Sequence, residues 1–530
     1  MTRQNDNYKS VDVMDLNDRR DLDAKNRRQS TRTRNPRNNN MNRNRRNVND
    51  FYDEGLKAKR GRNLNKEFAI ITYSFLILFI CLTGYLIYFV QFESEDFINN
   101  SYNPRIAHLA ETTIRGDIIS SDGEVLATTQ VDDAGNETRV YPFGNMYAHL
   151  VGYSINGMSG IEEEANYNLL RSNSFFLTKL FNETAGKKNH GDTVVTTVDS
   201  KIQSAAYNAL GSNDGAVIAI EPTTGKVLAM VSKPDYDPGS IAANWDRYIS
   251  DDDSSVLLNR ATQGLYAPGS TFKMVTLMSY MNQNSHYDNF EFDCNGAYDI
   301  GDYSMHCYNG KAHGHENLMD AFGNSCNCAF SDIGLGLNVN DYGVFCDKLL
   351  FNQTLPTKLS NTAKSRFSLS ADDADSTIAQ TAIGQGQTMV SPLHMAMLAS
   401  AIANDGLLME PYVIDHTQND QNKPVKNFKP SAYGQLIDSQ MASKMREYMR
   451  YVVTDGTGSA LNSDTYAAYG KTGTADFSSN VNENHSWFVG FAEDWTGRKI
   501  AVAVIMEGVS SGNSYAVPAT KQIFDAYFTY

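Results

Sequence analysis

The stretch "LYAPGSTFKMVT", Leu265 to Thr276, sets the hydroxyl of Ser270 and the amine of Lys273 three residues apart, after a Pro-Gly turn and at the head of an apolar run. Serine favours N-cap and first-turn positions, so the pattern predicts a helix over Ser270 to Met281. Residues at i and i+3 share a helix face, which brings Lys273 within reach of the Ser270 hydroxyl. A serine hydroxyl is a weak nucleophile until a base takes its proton. Lysine becomes such a base when burial, a second cation or a helix N-terminus lowers its pKa. An N-cap serine beside a surface lysine gives the same letters, and chance supplies about one or two Ser-x-x-Lys matches in a chain of this composition. The reading therefore turns on what accompanies it.

Two further motifs follow in order. "NSCNCAF" contains Ser325, Cys326 and Asn327, and "YGKTGTAD" contains Lys471, Thr472, Gly473 and Thr474. A P-loop reading of the second fails, because the first glycine of G-x-x-x-x-G-K-T would fall at Thr465. Ser-x-x-Lys, Ser-x-Asn and Lys-Thr-Gly in this order form a specific combination. On these residues the chain from about 191 to its C-terminus resembles the transpeptidase domain of penicillin-binding proteins. "NRATQGLYAPGSTFK", "AIGQGQTMVSPLHMAMLASAIANDG", "DGTGSAL" and "HSWFVGFAED" agree with that family. "IRGDIISSDGEVLA", "YPFGNMYAHLVGY" and "GMSGIEEEAN" resemble the pedestal of its monofunctional, class B members. The stretch between membrane and transpeptidase is too short for the glycosyltransferase module of class A.

The 530 residues exceed one ordinary domain, and the net charge of −15 is unevenly spread. Residues 1–66 hold 18 Lys and Arg against 9 Asp and Glu, a charge of +9 that leaves −24 for the rest. They are rich in Arg and Asn with few apolar residues, and read as a disordered basic tail. A nucleic-acid-binding role is set aside because "FAIITYSFLILFICLTGYLIYFV", Phe68 to Val90, carries no charge and is long enough to span a bilayer. Lys57, Lys59, Arg60, Arg62 and Lys66 precede it, and Glu93, Glu95 and Asp96 follow. The positive-inside rule puts the N-terminus in the cytoplasm and the remainder outside. No small-x-small cleavage site follows Val90, so the span reads as an uncleaved anchor.

Beyond the anchor, "TTIRGDIISSDGEVLATT" predicts two short strands about the turn at 121–123. Hairpins are predicted at 215–232 and 485–508, with helices at Asn317–Leu335, Pro392–Asn404 and the C-terminus. Strands at both ends with helices between give an α+β domain: an antiparallel sheet flanked by helices, with a helical lobe inserted. The division is 1–66 tail, 67–91 transmembrane helix, 92–190 small elongated pedestal and 191–530 transpeptidase domain. Five cysteines lie outside the span. Cys294 and Cys307 would close a short loop that the compartment allows to be a disulfide. Cys326 and Cys328 are too close in a helix to face each other. His313 and His315 raise a Cys/Cys/His/His zinc site, but the spacing is not a usual one and no metal or other cofactor is assigned.

The resemblance implies roles. Ser270 is the acyl-accepting nucleophile and Lys273 its base. Lys471 helps depress the Lys273 pKa, Ser325 relays a proton, and Asn327 positions Lys273 and the substrate amide. Thr472, Gly473 and Thr474 belong to the substrate-binding strand, with hydroxyls and the Lys471 charge suited to a terminal carboxylate. The N–H groups of Ser270 and Thr474 form the oxyanion hole. The implied partners are peptidoglycan stem peptides as D-Ala-D-Ala donor and amine acceptor, β-lactams, the membrane and a glycan polymerase of the SEDS family, in division or elongation. A D,D-carboxypeptidase would use the same residues with water as acceptor. A β-lactamase would need a deacylating base, and a β-lactam sensor or scaffold is the non-enzymatic alternative.

Overall fold

The computed structural model describes residues 49–89, 104–251, 255–476, 483–510 and 515–529. The chain divides after Tyr88 into two compact units. In the first, helix α1 runs over Asn49–Tyr88, and its part from Lys66 to Tyr88 is long and apolar enough to cross a membrane. Residues 49–66, expected to be disordered, are helical instead. The span supplies an established helix, and adding residues such as those of "EGLKAKR" to it is easier than nucleating a new one. Residues 1–48 of the expected tail lie outside the described residues.

The second unit contains a six-stranded sheet of order β12-β11-β4-β1-β2-β3. Its strands are β1 (Ile118–Ile119), β2 (Val125–Val131), β3 (Glu137–Val140), β4 (Thr193–Thr196), β11 (Ile414–Gln418) and β12 (Pro424–Asn427). The predicted strand pair around the turn at 121–123 is thus present as β1 and β2, antiparallel. Strand β4 lies between β1, which it pairs in parallel, and β11, which it pairs antiparallel. Beside this sheet Glu162 is fully buried, with Arg115 Nε at 2.6 Å and Arg139 Nε at 2.7 Å. Burial alone would raise the Glu162 pKa, but the two guanidinium groups outweigh it and hold the carboxylate below its usual range.

A five-stranded antiparallel sheet carries the second layer, ordered β13-β14-β15-β5-β6. The expected early hairpin is β5 (Gly215–Ile220) with β6 (Val227–Lys233). The expected late one is β14 (Glu483–Glu493) with β15 (Lys499–Ser510). In the latter's turn, Asp494 accepts the N–H groups of Thr496 and Arg498, an Asx-type arrangement. Among the described residues strand β13 (Ala467–Asp476) pairs with β14 alone and forms one edge of the sheet. Helices α2 (Ser200–Leu210) and α8 (Ala516–Phe528) cover one face, with Ile202, Ala206, Ile523 and Phe524 in one cluster with Val217, Phe488 and Val502. Helix α6 (Pro392–Ala403) covers the other, and all its residues are buried. That explains why its sequence is apolar all round rather than amphipathic. Each fully buried Ile or Phe in these layers contributes about 1.5–3 kcal/mol.

The inserted lobe contains α3 (Lys273–Gln283), α4 (Leu318–Gly323), α5 (Asn327–Gly336) and α7 (Ser439–Thr454). It also holds two small antiparallel ladders. One pairs β7 (Glu291–Cys294) with β10 (Gly314–Asn317), the other β8 (Ala297–Ile300) with β9 (Tyr303–His306). The single helix expected over Asn317–Leu335 is broken: Asn317 ends β10, and α4 and α5 are separated at 324–326.

Candidate active site

Ser270 lies in a 3-10 turn, Gly269–Phe272, that leads directly into α3 with Lys273 as its first residue. The loop before it is fixed from three sides. Tyr266 exchanges backbone hydrogen bonds with Val390, Gly269 N donates to Gly384 O at 2.9 Å, and Trp487 Nε1 donates to Ala267 O at 3.1 Å. The stretch 382–390 and the strand residue Trp487 therefore set where the serine stands.

Strand β13 approaches this turn with no room to spare. A Cβ on Gly269, which has φ +51°, would stand 2.3 Å from Thr474 O. A Cβ on Gly473 would stand 2.8 Å from Thr271 Cγ2 and 3.0 Å from Trp487 Cβ. In an antiparallel strand the N–H and C=O of one residue point to the same side. The approach of Thr474 O to Gly269 therefore turns the Thr474 N–H toward the Ser270 turn as well.

Lys273 is fully buried. Its Nζ donates to Ser325 O and Asn327 Oδ1, both at 2.7 Å, and to Ser325 Oγ at 3.3 Å. Asn327 is itself held by Nδ2 donating to His306 O at 2.9 Å. Ser325 has φ +57°, a left-handed conformation that breaks the helix and aims its carbonyl and hydroxyl together at the lysine. Burial pushes the Lys273 pKa down to about 8, opposed by nearby sulfur groups and the Glu316 carboxylate. Lys471, also fully buried, lies over the Phe322 ring with Nζ donating to Thr472 O at 3.1 Å. Burial puts it well below the ordinary lysine range, and the Lys273 charge lowers it further. Lys471 is expected to help depress the Lys273 pKa; burial is the leading cause on both, and the repulsion between the two ammonium groups falls on Lys471.

Thr472 is half-buried and Thr474 exposed, so these side chains line the open edge while Lys471 lies beneath it. Thr472 Oγ1 meets Thr457 Oγ1 at 2.6 Å. Thr457 was not singled out as a site residue; the only signal was its place in "DGTGSAL". All eight expected site residues thus belong to one neighbourhood built from the Ser270 turn, the 324–327 turn and the edge strand.

Behind the 324–327 turn the cysteines are free thiols. Cys294 and Cys307, expected as a bridge, have sulfurs 3.6 Å apart and unbonded. Cys326 and Cys328, expected to face apart, both turn toward Cys307, at 3.7 and 3.4 Å. They can do so because Cys326 is the N-cap of α5, with extended backbone, and not inside the helix.

The family profile described as penicillin binding protein transpeptidase domain matches residues 215–526, more than half the chain, and that described as penicillin binding protein A dimerisation domain matches 115–194. The peptidoglycan D,D-transpeptidase PbpA of Mycolicibacterium smegmatis is 27% identical over 470 residues, covering 84% of this chain and 94% of the relative. The D,D-transpeptidase domain of a peptidoglycan glycosyltransferase from Eggerthella lenta is 30% identical with TM-score 0.70, covering 79% of this chain and 99% of that one. Penicillin-binding protein A from M. tuberculosis, solved as an imipenem acyl-enzyme complex, is 26% identical with TM-score 0.70, covering 78% of this chain and 99% of that one.

Proposed function

Since the chain belongs to the penicillin-binding protein transpeptidase family, we propose that it is a membrane-anchored peptidoglycan D,D-transpeptidase that works through an acyl-enzyme on Ser270. The observation that carries the assignment is the buried Lys273 ammonium, tied to Ser325 and Asn327 and one turn of chain from Ser270.

In this reading neutral Lys273 takes the Ser270 proton as Oγ attacks the penultimate D-Ala carbonyl of a stem peptide. Charge on the carbonyl oxygen is met by the N–H groups of Ser270 and Thr474, which the close approach of turn and strand supports. Ser325 Oγ, 3.3 Å from Lys273 Nζ, passes the proton to the departing D-Ala amine. The ester then goes to an amine on a neighbouring stem. Thr472 and Thr474 receive the terminal carboxylate, assisted by Thr457, and the arriving negative charge favours the protonated form of Lys471 beneath the strand. A β-lactam follows the first half of this path and stays on Ser270.

The apolar part of α1 serves as the anchor, with the basic residues before it in the cytoplasm and the rest outside. Residues 92–190 act as the pedestal of the 191–530 catalytic region and, with the span, as the docking surface for a SEDS-family glycan polymerase. The test is covalent labelling by fluorescent penicillin. The wild-type chain is expected to label at Ser270, and undiminished labelling of Ser270→Ala would overturn the assignment. Product analysis with a stem-peptide donor separates the two acceptors. Amine capture in preference to water is expected; hydrolysis without any aminolysis product, with polymerase and nascent glycan present, would make it a carboxypeptidase.

A further inference from the structure

Cys294 ends β7, Cys307 follows β9, His313 precedes β10 and Cys326 caps α5. Their ligand atoms all lie within 4.8 Å of one another. A tetrahedral zinc with bonds of about 2.3 Å to sulfur and 2.0–2.1 Å to nitrogen sets sulfurs about 3.8 Å apart and sulfur to nitrogen about 3.5–3.6 Å. Here Cys294 Sγ is 3.6 Å from Cys307 Sγ and 3.5 Å from His313 Nδ1, and Cys307 Sγ is 3.7 Å from Cys326 Sγ. We propose that Cys294, Cys307, His313 and Cys326 form a tetrahedral zinc site that clamps the turn carrying Ser325 and Asn327.

Three observations support it beyond spacing. The three cysteines are 0–3% exposed and the His313 side chain 6%, so the set is converged and shielded from water. Glu316 Oε1 accepts from Asn324 Nδ2, but its Oε2 is buried without a hydrogen-bond partner 3.9 Å from His313 Nδ1, a polar atom left over beside the cluster that a metal on the imidazole would help to satisfy. The ligands also staple together β7/β10 and β8/β9, two-stranded ladders of four residues each, which are marginal by themselves in water. His315 takes no part; it is exposed and bonds Asp293 at 2.9 Å. A set of three sulfurs and one imidazole in a tetrahedron favours zinc over calcium or magnesium.

The site touches the chemistry through position. Cys326 stands between Ser325 and Asn327, and Cys307 follows His306, whose carbonyl holds Asn327 Nδ2. A metal joining Cys307 to Cys326 therefore fixes both residues that receive Lys273. Only this coupling rests on the proposed acylation; metal binding is read independently.

The full-length chain, purified in detergent from zinc-supplied cells without chelator, is expected to carry about one zinc, measured by mass spectrometry of the elements. Stripped under reducing conditions and loaded with cobalt, it is expected to show the visible bands of a tetrahedral, thiolate-rich centre. Cys294→Ser and His313→Ala are expected to weaken zinc binding at least about tenfold, while Cys346→Ala, outside the cluster, keeps it. Stripping is expected to lower penicillin labelling of Ser270 and zinc to restore it. Absence of zinc together with a Cys294–Cys307 disulfide, or cobalt binding without thiolate bands, overturns the site. Labelling indifferent to stripping overturns the clamp. Stoichiometric zinc lost in both ligand variants upholds the site even if penicillin never labels Ser270.

Discussion

Lys273 gives up its proton because no bulk water solvates its ammonium. With a pKa of about 8 the neutral form is about a tenth at pH 7 and half at pH 8. The acylation rate by a β-lactam is therefore expected to rise about fivefold over that interval and level off above about pH 9. Stopped-flow rates across the range check this, and a flat profile removes the lysine as base. Lys273→Ala is expected to lower acylation by about 10²–10⁴-fold with folding retained. At this scale the sequence was informative: a hydroxyl and an amine three apart, with two companion motifs that the fold brings to the same place, can be read from short runs of letters. The pKa order was not, since burial is a property of neighbours such as Phe322 and Phe330 that no local spacing encodes. Thr457 was equally hidden, being an ordinary threonine until β13 runs beside it.

Between elements, the contact of β13 with the Ser270 turn depends on an absent side chain. Gly473→Val would place atoms where Thr271 and Trp487 already stand. It is expected to displace the strand, reduce penicillin labelling at least about a hundredfold, and destabilise by about 1–3 kcal/mol, read by labelling kinetics and thermal melting. Glu162→Ala leaves Arg115 and Arg139 buried without their partner and is expected to destabilise the unit by about 3–5 kcal/mol, read by denaturant unfolding. The hairpins, α6 and the C-terminal helix were legible because apolar periodicity and turn residues mark them locally. The break between α4 and α5 was not. "NSCNCAF" has no proline, and the kink comes from a serine held at positive φ by its tertiary surroundings.

Across the whole molecule, a basic flank before the span and acidic residues after it set the expected orientation. A tag at the N-terminus is expected to survive protease added to cells stripped of their wall, and one after Tyr530 to be lost; the reverse would invert the topology. The six-stranded sheet has a consequence for biosynthesis. Val194 of β4 waits for Thr417 of β11, so the sheet stays incomplete until the chain is available past Asn427. Until then β4 offers an unpaired edge, and contacts so distant in sequence form slowly. Residues 92–190 produced alone lack both strands and are expected to show little β-sheet signal by circular dichroism. In the proposed topology, where this region folds on the far side of the membrane, the rate at which the chain arrives there would limit how much active protein a cell obtains, as much as any residue that touches substrate.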